Sequence, residues 1–186
     1  QGKGWLPDDN VNDVAIAKDG SVWVATDKGI SRIYKDKMTL AEKAKWYEDE
    51  IDRYSRRTPY EFVLEVIMEK PGIKENWKQF DSDNDGLWTS MYGAGECFAY
   101  AATGSIQAKV RAKKAFDAMV FLGDVTQGNK HSPPPGYVAR TVLPTSGPDP
   151  NIGRIERDKH KRETDDAMWK VYEPRWPVSA DGKWYY

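Results

Sequence analysis

Along its first part the chain alternates short apolar, β-branched runs with polar turns. Residues 11–17, 22–26 and 30–33 are such runs, separated by Lys18-Asp19-Gly20 and Asp27-Lys28-Gly29. Gly can take positive φ without a Cβ clash, as tight reversals between antiparallel strands commonly require. The pattern predicts a three-stranded β-meander. Beyond Met38 the period changes. Thr39-Leu40-Ala41-Glu42 has the form of a capping box, and Leu40, Ala44, Tyr47, Ile51 and Tyr54 step by four and three. A helix to about Arg57 follows, with one apolar face. Pro59 ends it, and the apolar run 60–68 fits strand or helix equally well before Pro71-Gly72.

Residues 87–103 and 106–122 read as two further helices, joined by Gly104-Ser105. Gly104 is placed to end the first in a left-handed conformation, and so short a link makes the two an antiparallel hairpin. Ala112, Ala115, Phe116, Met119 and Leu122 form the second helix's apolar stripe, with Lys109, Arg111, Lys113 and Lys114 mostly off it. Residues 123–155 are rich in Gly and Pro, too long for an ordinary connection and of the kind that often carries function. A last helix is expected at about 163–172. The chain closes on Trp184-Tyr185-Tyr186, which reads as a piece of a longer product.

The segments Leu6-Pro7-Asp8-Asp9-Asn10-Val11, Asp19-Gly20-Ser21-Val22-Trp23-Val24-Ala25-Thr26 and Gly29-Ile30 resemble the two-component-regulator propeller repeat. Proteins of that family close rings of such blades in sensor ectodomains. This chain carries one copy, so the resemblance implies a single blade, not a closed propeller. Asp83-Asn84-Asp85-Gly86-Leu87-Trp88, followed by the helical hairpin, resembles bacterial propeller-linked α/α-toroid proteins. Together the resemblances imply an α+β, mainly helical chain. A propeller-like β-meander over residues 1–37 would precede a helical region, 38–186, made of hairpins of a partial α/α-toroid with long Gly/Pro-rich loops. They imply an extracytoplasmic setting and a carbohydrate-active role, as hydrolase or lyase.

Composition narrows this further. Lys and Arg number 28 against 29 Asp and Glu, so there is no broad basic field to draw in nucleic acid. Eight Trp and ten Tyr favour a folded chain despite a modest apolar fraction. No apolar run is long enough to span a bilayer. Cys97, the only cysteine, excludes an internal disulfide.

Asp81, Asp83 and Asp85, spaced by two and followed by Gly86, have the form of the first half of a calcium loop. The bidentate Glu such a loop needs at its twelfth position is Tyr92 here. Two other readings stand beside calcium: Asp85 as an acceptor for amides at a helix start, and Asp83 or Asp85 as a general acid or base at a sugar cleft. Glu96 is a candidate second carboxylate. Trp88 and Tyr92, four apart on one helix, offer flat surfaces for sugar stacking or core packing. In the Gly/Pro-rich loop, His131, Tyr137 and Arg140 are the residue types a polysaccharide lyase needs for proton abstraction and charge stabilisation. The catalytic candidates are therefore Asp83, Asp85, His131 and Arg140, with Trp88, Tyr92 and Tyr137 for substrate. His160 falls in a basic run that reads as solvated. The alternative to an enzyme is a noncatalytic structural or interaction module, with or without calcium, that assembles with a protein partner or with the missing remainder of the same chain.

Overall fold

The computed structural model describes residues 6–70, 73–80 and 83–186. The chain forms two compact units, one from residues 1–56 with 65–80 and the other from 57–64 with 81–186.

In the first unit, β1 (Val11–Ile16), β2 (Val22–Thr26) and β3 (Gly29–Ile33) pair antiparallel in chain order. Ile16, Val22 and Ile33 stand in one row, and Val14, Val24 and Ser31 in the next. Asp19 shapes the first turn: its Oδ1 accepts from Ser21 N at 2.9 Å, its Oδ2 accepts from Arg32 Nη2 at 2.8 Å, and Gly20 sits at φ 80°. Val24 is the one fully buried apolar side chain among the described residues of this unit. α1 (Leu40–Glu50) begins with the anticipated capping box, in which Thr39 Oγ1 accepts from Glu42 N at 3.2 Å and Glu42 Oε2 accepts from Thr39 N at 2.7 Å. A wider π-type turn, Ile51–Ser55, continues it. A hairpin of β6 (Val66–Lys70) and β7 (Ile73–Gln79) packs here through Trp77, edge-on to Tyr54 at 5.4 Å, and through Lys74, ion-paired with Glu50.

The chain passes between units in β4 (Arg56–Arg57), with β5 (Phe62–Val63) following a turn in which Thr58 and Glu61 both take positive φ. The second unit is organised by α2 (Asp85–Thr103) and α3 (Ile106–Asp124), a hairpin closed by Gly104 at φ 68°. Gly93 makes the close approach possible, since a Cβ there would lie 2.9 Å from Ala115 Cβ. Phe62, Ala118, Leu122, Val125, Ala139, Val142 and Trp184 form the core. Tyr60 stacks on Phe121 at 3.7 Å, and Trp184 meets Phe121 edge-on at 5.7 Å. β8 (Leu143–Pro144) pairs with β9 (Trp184–Tyr185) to hold the chain's end against this core.

The expectation of a mainly helical partial toroid is corrected. Among the described residues four helices supply 37% and strands 21%, with several small antiparallel sheets and one helical hairpin. The reason lies in two segments. The run 60–68 is split at Leu64: Phe62 is sealed in the second unit's core, while Val66 and Met68 join a hairpin in the first. The last helix, α4 (Arg154–Thr164), lies upstream of the expected 163–172. Asp166 instead closes a turn, accepting from Met168 N and Trp169 N. The stripe predicted for α3 also shifts: Ala115 and Leu122 are buried, but Phe116 is 58% exposed.

Candidate functional site

Both constellations that bear on function lie in the second unit, each around a buried aspartate. Asp85 opens α2 and is wholly buried. Its Oδ2 accepts from the Arg57 guanidinium, from Thr141 Oγ1 at 2.9 Å and from Val142 N at 3.2 Å. Arg57 also donates to Val142 O at 2.6 Å, so one ion pair ties Arg57, the start of α2 and residues 141–142 together. Asp85 Oδ1 and Arg57 Nε are buried without a hydrogen-bond partner among the described residues, as is Trp88 Nε1 one turn along α2. Burial pushes the Asp85 carboxyl above its ordinary range, outweighing the pull of Arg57, Thr141 and the Val142 amide.

Asp158 on α4 is the other buried aspartate. Its Oδ2 accepts from Arg175 Nε at 2.6 Å and its Oδ1 from Trp169 Nε1 at 3.1 Å, with Arg154 Nε in an ion pair 3.2 Å from Oδ1. Burial again raises the carboxyl, but the Arg175 and Trp169 hydrogen bonds and the two guanidinium charges outweigh it and hold Asp158 below the usual carboxylate range. The Trp169 ring meets two cations, with Lys161 Nζ 3.7 Å and the Arg175 guanidinium 5.0 Å from its centre. Beside this cluster opens a cleft of about 410 Å³, lined by Asp149, Arg154, Tyr172, Glu173 and Arg175 among others.

The sequence candidates do not form one constellation. Asp81 lies outside the described residues. Asp83 is exposed, at φ 58°, and its carbonyl accepts from Arg140 Nε at 3.2 Å, so Arg140 closes over the start of α2. Arg140 Nη2 also reaches Asn84 Oδ1 at 3.4 Å. Asp85 is sealed from solvent. Trp88 and Tyr92 are half-buried and Glu96 is buried. His131 is exposed in a turn where its amide donates to Asn129 Oδ1, and Tyr137 is 65% exposed. Of these residues, Asp83 and Arg140 are brought into contact. His160, on α4, is exposed, consistent with a solvated basic run.

Arg57, Thr141, Asp158, Arg154, Tyr172 and Arg175 were not among the sequence candidates. Arg154 and Asp158 carry a faint signal, the i,i+4 spacing of a helical ion pair. Nothing local links Arg57 to Asp85 or Asp158 to Arg175. Among the described residues no helix is long and apolar enough to cross a membrane. Compared with known proteins, the chain matches no family model, no curated protein and no solved structure.

Proposed function

We propose that this chain is a noncatalytic interaction module whose helical hairpin docks against a protein surface. The observation that carries the reading is an inversion of side-chain size across the hairpin. Apart from Asp85, Glu96 and Leu122, the inner faces of α2 and α3 bury small residues, Thr89, Gly93, Ala108, Ala115 and Ala118, and Leu122 is the one large apolar side chain among them. The large apolar side chains stand on the opposite faces: Leu87 50%, Met91 60% and Phe98 77% exposed on α2, Ile106 68%, Val110 50% and Phe116 58% on α3. Spacings of four and seven residues place Leu87, Met91 and Phe98 in a single row. Burying such a side chain is worth about 1.5–3 kcal/mol, so a row left in water is a surface that gains by being covered. Asp85, the most prominent carboxylate candidate for catalysis, is committed to Arg57 and closed to substrate, which favours binding over turnover.

The full chain should associate at micromolar concentration in light scattering after size exclusion and bind an apolar-surface dye. Met91→Glu with Phe98→Glu should abolish both while leaving the melting temperature within a few degrees. A monomer that binds no dye refutes the reading.

A second reading, polysaccharide binding, is favoured by the cleft beside α4, where the exposed Tyr172 ring adjoins arginine and carboxylate side chains suited to hydroxyl groups. Saturable binding of a glycan panel without release of reducing ends or unsaturated products supports it. Turnover would restore an enzymatic role.

A further inference from the structure

The cleft beside α4 carries more than a general affinity for glycans. Asp158 is 2% exposed and pairs with two arginines: its Oδ2 accepts a hydrogen bond from Arg175 Nε, and its Oδ1 lies in an ion pair with Arg154 Nε, which makes no hydrogen bond among the described residues. Both contacts use Nε. Arg175 spends Nη2 on Lys170 O at 2.5 Å, which leaves its Nη1 amine and both terminal amines of Arg154 without partners among the described residues. One buried carboxylate thus holds the Arg175 guanidinium by a hydrogen bond and that of Arg154 by charge, and both arginines line the same cleft and keep donors to spare. Planar guanidinium forks with free amines match the oxygens of a carboxylate or phosphate.

The rest of the lining selects between those anions. Asp149 and Glu173 also border the cleft, and Glu173 has no partner among the described residues. Two carboxylates at the edge oppose a phosphate dianion more strongly than a singly charged carboxylate, and they accept hydrogen bonds from hydroxyls. Tyr172, 54% exposed, presents a ring with the Arg175 guanidinium 5.3 Å from its centre. Its hydroxyl bonds to nothing among the described residues. At about 410 Å³ the space falls within the roughly 300–1,000 Å³ of small-molecule sites.

The geometry points to a sugar acid as the ligand of this cleft: a uronate residue with its carboxylate on Arg154 and Arg175, its ring against Tyr172 and its hydroxyls toward Asp149 and Glu173. The inference rests on the polysaccharide-binding reading and adds the charge of the sugar.

Calorimetric titration of the full chain with trigalacturonate, its fully methyl-esterified counterpart and inorganic phosphate tests it. The acid should bind at least about tenfold more tightly than the ester, a difference of roughly 1.4 kcal/mol. Arg154→Gln should erase most of that difference, and Tyr172→Ala should weaken acid and ester alike; Tyr172 is exposed enough for its loss to leave the fold intact. Equal binding of acid and ester overturns the inference while the polysaccharide reading stands. Binding of neither sugar removes both. Phosphate bound as tightly as the acid shows a plain anion site and overturns the sugar assignment, as does an Arg154→Gln variant that keeps the preference.

Discussion

Arg57→Met tests whether the second unit is held by its buried ion pair. The substitution keeps most of the side-chain volume and removes the charge, leaving the Asp85 carboxylate at zero exposure with Thr141 Oγ1 and Val142 N as its donors among the described residues. It also strips Val142 O of its 2.6 Å donor. Removing one member of a buried pair costs about 3–5 kcal/mol, because the charge left behind is uncompensated. With a urea m-value of roughly 1–3 kcal/mol/M, the midpoint for this unit should fall by about 1–5 M. Near-ultraviolet circular dichroism, which reports the packed Tyr60, Phe121 and Trp184 rings, follows that unit. Pairing Arg57→Met with Asp85→Leu should recover much of the loss, because apolar replacement of both partners is often neutral or better. The defect should also depend on pH. Asp85 is already raised above its ordinary range, so its ionisation opposes folding: its favourable contribution is complete below the unfolded-state pKa and is lost as pH rises through the folded one. Without Arg57 that opposition grows, and the variant should approach the parent in acid and fall away toward neutrality. A cost below about 1 kcal/mol, or one that does not change with pH, would show that Asp85 is not the anchor described here.

Gly93→Val should loosen the helical hairpin by about 1–3 kcal/mol, since its Cβ would meet Ala115 Cβ at 2.9 Å; an unchanged urea midpoint would contradict the close approach. Thr39→Ala removes the capping-box acceptor and should cost α1 about 1 kcal/mol, read as faster amide exchange over its first turn, with Thr39→Ser retaining protection. Asp158 is held below its ordinary range, so its stabilising effect is present above the unfolded-state pKa and is lost as pH falls through the folded one. Asp158→Asn should therefore flatten the acid limb of thermal stability, and a parallel limb in parent and variant would refute that assignment.

What could be read along the chain was what neighbours in sequence decide. The meander, the capping box at Thr39 and the Gly104 reversal rest on local turn chemistry and periodicity, and each has its local cause in the structure. The partition of 60–68 between two units was hidden because its apolar residues satisfy strand and helix patterns alike, and Phe62 is committed by contacts with α3 and Trp184 far along the chain. The outward-facing Phe116 misled for a related reason: periodicity shows that a helix has an apolar face but not whether that face meets this chain's own core. Candidate-site residues failed to converge for a third reason. The partners of Asp85 and Asp158 stand 28 to 57 and 11 to 17 positions away, except Arg154, and spacing alone carries no information about such pairs.

The two buried aspartates show why environment decides what a carboxylate can do. Asp85 has one guanidinium, one hydroxyl and one amide on a single oxygen, while its second oxygen is sealed without a partner, so burial prevails and its pKa rises. A raised carboxyl in an open cleft would be a candidate general acid. Here no solvent reaches it, so the same shift describes a structural anchor. Asp158 distributes its charge between two arginines and an indole N–H on both oxygens, and its pKa falls. It cannot serve as an acid near neutrality, but it fixes the guanidinium groups that line the neighbouring cleft. The carboxyl with the raised pKa lacks access, whereas the arginines fixed by the other aspartate line an open cleft. That division of properties favours recognition of an acidic ligand over bond cleavage, and it makes Arg154 and Arg175, rather than Asp83 and Asp85, the first residues to alter in a search for what this chain binds.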